Sequence, residues 1–418
     1  MALNFVSKEV ITKIITKGIG ALRALYLLYF FGFSDELDGF FFAKSIISLV
    51  IMLNIFFEMS YADWFNKIAL NKKLVLHFWK KINLTTSVFC VALLCGALFV
   101  FDGKDIIQSN VYFLLLWALL NINSNFYTIL FRYRNQSKIA LFYFLFVAIV
   151  DFGFLISILH FSPILSSSLI SMSLLLTELF ALSILLFIFW SFYKKRFVFL
   201  SPTEYNFGFS SKELKIIGVL ILISLIEVSD KVFLEKMGTS AVTYVTYGMF
   251  VPLLLRQALD VRSHFFVRLN TIKSNVDIKT EFLLTLKILM RFFTFGALAV
   301  FTFLVFTQEK WVLFFDIKKV SLFWNIIIIG AISIPFYMIW DMFYRLYFRF
   351  KRIDSLVKIV FLGLLLNISA NYTFGILLNL KEVGVVLSTL LTFVYYNVVS
   401  LYVFKSKLLT LLNEKNKP

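Results

Sequence analysis

Residues 22–65 read LRALYLLYFFGFSDELDGFFFAKSIISLVIMLNIFFEMSYADWF and decide the fold. Two apolar runs are separated by a short loop around Gly32, and each run contains one basic side chain, Arg23 in the first and Lys44 in the second. A charge at the depth of the hydrocarbon costs about 2.5–3.5 kcal/mol on insertion scales, so it usually lines a watery cavity or meets a partner. The stretch therefore predicts two membrane-spanning helices whose charges have a function.

The composition extends this prediction to the whole chain. Hydrophobic residues make up 60% of the 418 residues, and the mean hydropathy is +0.88. Soluble domains are closer to half apolar, and a span with its loop takes about 30 residues. The chain is therefore predicted to be an all-α polytopic membrane protein with about twelve transmembrane helices. The predicted spans lie near 10–31, 39–59, 82–101, 111–131, 139–160, 164–193, 214–234, 241–261, 282–306, 321–344, 356–378 and 383–404.

The basic residues predict the orientation of these spans. Seven segments that would share one side of the membrane, including both termini, hold 30 of the 41 Lys and Arg residues, whereas the six connections on the other side hold 6. Lys and Arg are enriched on the cytoplasmic side, so both termini are predicted to be cytoplasmic. The net charge of +17 is dispersed over these segments, which argues against nucleic-acid binding.

The longest connection joins the sixth and seventh spans and divides the chain into halves of six spans each. We therefore expect an N-terminal lobe at 1–193, a cytoplasmic linker at 194–213 and a C-terminal lobe at 214–418. Two such lobes are the usual geometry of a transporter that works by alternating access.

Polar side chains form stripes on several spans. In the first span, Lys13 and Lys17 fit snorkelling at the cytoplasmic interface, whereas Arg23 lies deeper and is predicted to face a cavity. The second span places Lys44 and Asn54 on one stripe, which lipid cannot satisfy. Further stripes of amides, hydroxyls and aromatic rings suit a sugar-binding wall, and equally suit hydrogen bonding between helices. They comprise Asn121, Ser124, Asn125 and Thr128 on the fourth span, Tyr337, Trp340 and Asp341 on the tenth, and Tyr395 on the twelfth.

Four acidic residues within spans are candidates for ion coupling, because a carboxylate in a low dielectric can carry a proton or a sodium ion. They are Asp151, Glu178, Glu227 and Asp230. Lys231 can instead neutralise one neighbouring carboxylate in a structural salt bridge. Arg256 precedes Asp260 by one turn; the pair can be structural, or Arg256 can bind phosphate.

Neither a metal centre nor an enzyme active site is predicted. The three histidines and two cysteines lack metal-ligand spacing. The longest connection on the non-cytoplasmic side, near 308–320, is too short to fold as a catalytic domain. We expect no cofactor and no enzyme activity.

Three stretches resemble the multidrug/oligosaccharidyl-lipid/polysaccharide (MOP) exporter superfamily. Residues 22–65 resemble its first two spans, where an Arg-bearing helix leads through a Gly loop to Asp-Ala-Phe-Phe; here residues 38–41 read Asp-Gly-Phe-Phe. Residues 227–254, EVSDKVFLEKMGTSAVTYVTYGMFVPLL, resemble the seventh and eighth spans. Residues 367–389, NISANYTFGILLNLKEVGVVLST, resemble the Asn-containing eleventh span and the segment after it.

Within that superfamily the length and span count resemble O-antigen and related polysaccharide-unit flippases of the Wzx type. The resemblance implies two six-helix bundles forming a V around a central cavity. It makes Arg23, Asp38, Lys44 and Arg256 candidate cavity residues, and we expect Arg23, Lys44 and Arg256 to hold a substrate diphosphate. The implied activity is movement of an undecaprenyl-diphosphate-linked oligosaccharide to the periplasmic leaflet of the bacterial inner membrane.

The implied partners are this lipid-linked glycan, membrane lipids, H⁺ or Na⁺ as a coupling ion, and the polymerase and chain-length regulator of the same pathway. Two alternatives remain open. One is another exporter of the superfamily, for lipid II or for drugs in exchange for protons. The other is a polysaccharide polymerase or ligase.

Overall fold

The computed structural model describes residues 2–68, 72–100, 104–133, 137–162, 166–193, 210–258, 275–314 and 317–413. These residues form twelve α-helices and one π-helix, and no strand. Each predicted span overlaps one α-helix, and the eleventh also covers the π-helix, which confirms the all-α fold class. The helices are α1 Ala2–Phe31, α2 Asp35–Ile68, α3 Lys72–Val100, α4 Asp105–Tyr133, α5 Ser137–Phe161, α6 Ser168–Tyr193, α7 Ser211–Glu235, α8 Ala241–Ala258, α9 Asn275–Phe314, α10 Val320–Arg349, α11 Ile353–Ala370 and α12 Lys381–Asn413.

Eight of these helices contain, within the described residues, a segment long and apolar enough to cross a membrane. They are α2, α3, α4, α5, α6, α10, α11 and α12. In hydrocarbon every backbone polar group needs an internal partner, which an α-helix supplies by itself. The chain is a multi-pass membrane protein.

The outer face of α3 illustrates why lipid suits this molecule. Leu84, Val88 and Val91 follow one another at helical spacing and are 62%, 61% and 60% exposed. Side chains at these intervals share one side of a helix, so together they form an exposed apolar stripe. Soluble proteins rarely expose such continuous apolar surface, whereas acyl chains cover it without cost.

The helices group into two compact units, Met1–Ser224 and Leu225–Pro418, with the boundary inside α7. In the first unit α4 packs against both α2 and α6, while α1 packs on α5 and α3 packs on α4. Its core contains fully buried aromatic side chains, among them Phe40, Phe56 and Phe131. This arrangement brings polar residues of α2, α4, α5 and α6 into one interior.

The second unit is centred on α10 and α12, with α8 packed on α10 and α11 packed on α12. Tyr347 and Phe404 are fully buried, and their ring centroids are 4.8 Å apart. Tyr347 also donates its hydroxyl hydrogen to Ser400 Oγ at 3.2 Å, so the phenol is satisfied within the core. Aromatic pairs of this kind add stability beyond the area they bury.

A π-helix, Asn371–Leu377, continues α11 and lies directly on α12. A Cβ atom added at Gly384 would be 2.6 Å from the carbonyl carbon of Phe374, so only glycine allows this approach between the two backbones. The connecting turn has positive φ angles at Asn379 (53°) and Lys381 (50°), a conformation that costs free energy for residues with side chains. π-Helical turns occur frequently at functional sites, and this one begins with a residue of the site described below.

Candidate functional site

The first unit contains an ion pair between two predicted site residues. Arg23 on α1 places Nε 2.6 Å from Oδ2 of Asp151 on α5. The packing of α1 on α5 brings the two residues together, and both side chains are largely withdrawn from the surface. Removing two charges from water is costly, and their mutual attraction offsets that cost only at close range. The structure thus pairs a residue predicted to bind diphosphate with a residue predicted to carry an ion.

A second basic side chain lies near this ion pair. Lys44 on α2 lies close enough for its ammonium charge to act on Asp151, and its own side chain is exposed. Arg23 Nη2 is buried and has no hydrogen-bond partner among the described residues. Two cations thus lie around one carboxylate, and the guanidinium keeps a donor for a further acceptor. This cluster, Arg23–Lys44–Asp151, can attract an anion.

Asp38 and Arg256 are the other two candidate cavity residues that the resemblance implies. Asp38 is buried in the first turn of α2, where a negative charge is favourable because of the helix dipole. Arg256 is on α8 after Pro252, and its side chain lies outside the described residues. The role of Arg256 in holding diphosphate therefore stays a prediction, as does its pairing with Asp260.

A chain of hydrogen bonds links four helices of the first unit. Asn121 on α4 accepts hydrogen bonds at Oδ1 from Asn54 Nδ2 on α2 and from Asn125 Nδ2, both at 3.2 Å. Asn121 Nδ2 donates to Glu178 Oε2 on α6 at 3.2 Å, and Tyr143 on α5 donates its hydroxyl hydrogen to Glu178 Oε1 at 2.6 Å. We call these five residues the Glu178 network. The network fits the second interpretation of the α4 stripe, in which its polar residues form hydrogen bonds between helices.

The remaining polar residues of the α4 stripe are buried. Thr128 donates to the carbonyl oxygen of Asn125 at 2.9 Å, and the Ser124 hydroxyl lies beside the Tyr143 hydroxyl. On α3, Asn83 exchanges hydrogen bonds with Asn123, each at an N–O distance of 2.8–3.0 Å. A sugar-facing role for Ser124 and Thr128 stays a prediction.

Aromatic residues of α10 and α12 face each other in the second unit. Trp340 is buried and stacks on Tyr396 with a centroid distance of 4.4 Å, and Tyr337 packs on Phe393 at 3.7 Å. Tyr395 and Asp341 are half-buried. Trp340 and Tyr337 therefore contribute to helix packing, and the sugar contact predicted for Tyr337, Trp340, Asp341 and Tyr395 stays a prediction.

Asp230 is the centre of a second polar cluster, in which all the hydrogen-bond donors are neutral. Its Oδ1 accepts hydrogen bonds from Asn367 Nδ2 at 3.1 Å and from Asn371 Nδ2 at 2.8 Å. Its Oδ2 accepts a hydrogen bond from Thr389 Oγ1 at 2.6 Å. The three donors come from α11, the first residue of the π-helix and α12. The change from α-helix to π-helix at Asn371 therefore lies next to the Asp230 carboxylate.

The oxygen atoms of the Asp230 cluster suit a small hard cation. Carboxylate, amide carbonyl and hydroxyl oxygens are the ligands that such cations prefer. Asn371 Oδ1 is buried and has no hydrogen-bond partner among the described residues, and Asn367 Oδ1 is 3.2 Å from Asn371 Nδ2. One carboxylate with several neutral oxygens could bind a monovalent ion or a proton.

Lys231 and Glu227 complete the charged part of α7. Lys231 is buried, donates to Thr246 Oγ1 on α8 at 2.6 Å, and its charge acts on Asp230. Glu227 is exposed. The predicted neutralisation by Lys231 thus fits the geometry in part, while Asp230 is the carboxylate surrounded by oxygen ligands. An ion-coupling role for either acid stays a prediction.

Several solved structures of membrane transporters are similar to this fold. No protein-family model matches the chain, and no curated protein matches it. A structure described as the lipid II flippase MurJ in an inward closed conformation is similar, with a TM-score of 0.68 and 15% identity, over 96% of this chain and 89% of that chain. An outward-facing multidrug resistance MATE family transporter of the MOP superfamily is similar, with a TM-score of 0.59 and 15% identity, over 99% of this chain and 96% of that chain.

A third similar structure is a MOP superfamily transporter from Pyrococcus furiosus, with a TM-score of 0.62 and 15% identity over 96% of each chain. Its description states that the reverse polarity of its binding pocket suggests a different function. At this level of identity the likenesses establish the fold. The chain has the fold of MOP superfamily transporters.

Sequence reasoning missed most of the partners of Asp230. Asn367 and Asn371 are four residues apart and share one side of a helix, and both lie in the stretch that resembles the eleventh span. That spacing in an apolar segment could have identified them as a polar pair. Thr389 had no distinguishing feature, because hydroxyl residues are common in transmembrane helices.

Proposed function

We propose that the protein is a flippase that moves an undecaprenyl-diphosphate-linked oligosaccharide, an O-antigen or related repeat unit, from the cytoplasmic to the periplasmic leaflet. The observation that carries the proposal is the Arg23–Lys44–Asp151 cluster in the first unit of a transporter fold. A positive cluster at membrane depth suits an anionic substrate that has to cross hydrocarbon.

The cluster has the chemistry to hold a diphosphate. Asp151 fixes the guanidinium of Arg23 from one side, which leaves Nη2 for a phosphate oxygen. Hydrogen bonds between a guanidinium and phosphate are charge-assisted and strong. Lys44 adds a mobile charge, because an ammonium group on a long stem adapts to a substrate that moves. Arg256 would contribute a third cation if its side chain reaches the same substrate.

We propose that amides of the α4 stripe contact sugar hydroxyls of the substrate, while the polyprenyl chain stays among the lipids. Movement would follow alternating access, in which the two halves of a transporter rock around a central site. No covalent chemistry is needed, so we expect no enzyme activity.

Coupling to an ion gradient would supply the free energy for net movement. The Asp230 cluster is our candidate for the coupling site, since its oxygens suit Na⁺ or H⁺. A cation bound there cancels the carboxylate charge and links α7, α11, the π-helix and α12. Transport that is unchanged after both the proton and sodium gradients are collapsed would contradict this coupling.

The proposed setting is the bacterial inner membrane, with both termini in the cytoplasm. The excess of Lys and Arg on one side supports this orientation. A polymerase and a chain-length regulator would then act on the unit after it reaches the periplasmic leaflet.

Deleting the gene in its host tests the function. A strain without the flippase should make lipopolysaccharide core with no repeat units on a gel, and lipid-linked units should accumulate facing the cytoplasm. Core bearing a single unit would instead indicate a polymerase. A normal ladder would exclude O-antigen assembly and favour an exporter of other compounds.

A further inference from the structure

Three exposed lysines lie together at one end of the second unit. Lys318 and Lys319 directly precede α10, and Lys381 is the first residue of α12. Lys319 Nζ is 3.2 Å from Oε1 of Glu382 in the first turn of α12. This ion pair brings the start of α10 and the start of α12 together, and with them the three lysines, which we call the lysine corner.

An apolar turn borders the lysine corner. It joins the π-helix to α12, and its side chains Leu377, Leu378 and Leu380 are 63%, 58% and 41% exposed. The backbone N–H of Leu380 donates to the carbonyl oxygen of Phe374 at 3.0 Å, which ties the turn back to the π-helix. The three leucines are therefore displayed on a fixed backbone directly before Lys381.

The ion pair fixes the position of the corner and leaves two of its lysines for a partner outside the chain. Glu382 is 2% exposed, and the backbone N–H of Lys319 donates to the Tyr244 hydroxyl on α8 at 3.3 Å. The Lys319 ammonium also lies over the Tyr244 ring, 5.4 Å from its centroid. Lys318 and Lys381 form no ion pair with any residue that the structure describes.

Two general preferences disfavour lysines at this place. The predicted orientation puts the corner on the non-cytoplasmic side, where Lys and Arg are depleted, yet the corner holds three of the six such residues predicted on that side. Each of the three also lies at the start of a helix, where the helix dipole disfavours positive charge. Topology and helix stability therefore do not account for the corner, whereas a negatively charged partner does.

We propose that the lysine corner and the apolar turn together bind an anionic phospholipid of the leaflet that they face. The leucines would contact the acyl chains, and Lys318 and Lys381 would contact the phosphate of the head group. Basic side chains beside an apolar membrane segment attract anionic lipids, and a lysine stem is long enough to reach the head group. A soluble anion fits less well, because it would leave the leucines of the turn exposed to water.

The test measures lipid binding to the purified full-length protein in detergent by native mass spectrometry. The wild type and Lys318→Gln/Lys381→Gln are titrated with phosphatidylglycerol, which is anionic, and with phosphatidylcholine, which is zwitterionic. This double variant keeps the ion pair between Lys319 and Glu382, so the packing of α10 on α12 is retained.

Lys104→Gln/Lys310→Gln is the matched control, because it removes two exposed charges that are predicted on the same side of the membrane but lie outside the corner. We expect Lys318→Gln/Lys381→Gln to weaken binding of the first phosphatidylglycerol molecule about tenfold or more, and to change phosphatidylcholine binding less than about twofold. The control should bind both lipids like the wild type. Unchanged phosphatidylglycerol binding in the corner variant, an equal loss in the control, or an equal loss for both lipids would overturn the proposal.

A lipid diphosphate is the other anion that could occupy the corner, so undecaprenyl diphosphate is added as a competitor to the wild type with bound phosphatidylglycerol. Displacement that needs at least an equal concentration of the competitor supports a phospholipid site. Displacement at a lower concentration would assign the corner to a transported lipid and would overturn the proposal. Because transport is not measured, failure of this proposal leaves the proposed flippase activity untouched.

Discussion

Arg23 illustrates how one side chain can have a structural and a binding role together. It neutralises Asp151 at 2.6 Å and keeps Nη2 without a partner among the described residues. Removing one member of a buried ion pair costs about 3–5 kcal/mol, because the other charge is left uncompensated. A single substitution therefore changes both the stability of the fold and the transport rate. A double substitution that removes both charges separates these two effects.

We predict that Arg23→Gln lowers both the amount of folded protein and the transport rate. Adding Asp151→Asn should restore the amount, because no unpaired carboxylate remains. Transport should stay reduced by about tenfold or more, since a charge-assisted contact worth over about 1.4 kcal/mol is still absent. Membrane abundance by immunoblot and flipping rate in proteoliposomes are the measurements. Full transport by the double variant would limit Arg23 to a structural role.

Asp230→Asn should remove the dependence of transport on the coupling ion while the protein remains folded. Asparagine has nearly the same shape and can still bond to Thr389, but it lacks the charge that a cation requires. Initial rates are to be compared with and without an imposed sodium or proton gradient. Glu309→Gln, at an exposed position in α9, should respond like the wild type. Equal gradient dependence in both variants would contradict the assignment.

The site could be predicted only in part from the sequence. A charge within an apolar run is visible in the residues, so Arg23, Asp151, Glu178 and Asp230 were all identifiable. Their partners were not, because they lie on helices distant in sequence: α1 packs on α5, and Asp230 on α7 accepts a hydrogen bond from Asn367 on α11. Arg23 was expected to face a cavity, which stays a prediction, and the structure shows an ion pair between Arg23 and Asp151.

At the scale of elements, the contact between the π-helix and α12 depends on a single missing Cβ atom. Gly384 approaches the backbone of Phe374 and Gly375, where any side chain would be within 2.7 Å. The π-helix begins with Asn371, which donates to Asp230. Displacing the π-helix should therefore disturb the hydrogen bonds of the Asp230 cluster as well as the packing of the π-helix on α12.

Gly384→Ala should destabilise the protein by about 1–3 kcal/mol, the usual cost of overpacking. Gly96→Ala is a matched control, because a Cβ there meets nothing within 4 Å. Alanine normally stabilises a helix by about 0.5–1 kcal/mol relative to glycine, so the two changes should have opposite signs. Thermal unfolding in detergent measures both. Equal shifts would show that α12 does not contact the π-helix as described.

The elements themselves were largely predictable, because a long apolar run in a membrane protein has to be helical. All twelve predicted spans are helices, although several helices extend beyond the apolar run, as α2 does to Ile68. Hydropathy does not detect such extensions, since helix hydrogen bonds also form among polar residues. The π-helix was not predicted, because nothing in the composition of Asn371–Leu377 distinguishes it from an α-helix.

At the scale of the whole molecule, the distribution of Lys and Arg predicts how the chain lies in the membrane. We predict that the turn after α7 faces the periplasm and the turn after α10 faces the cytoplasm. In a variant without native cysteines, Thr239→Cys should react with a membrane-impermeant maleimide in intact cells. Lys351→Cys should react only after the inner membrane is opened; the reverse pattern would invert the proposed direction of transport.

At this scale we propose that the protein moves an anionic lipid-linked glycan across a membrane. The direct measurement uses purified protein in liposomes that contain undecaprenyl-diphosphate-linked oligosaccharide, with the outer leaflet monitored by a sugar-modifying enzyme that does not enter. The wild type should make the inner pool accessible faster than empty liposomes do, and the Arg23→Gln/Asp151→Asn protein should do so at least about tenfold more slowly than the wild type. An inner pool that stays protected with folded wild-type protein and an imposed ion gradient would contradict it.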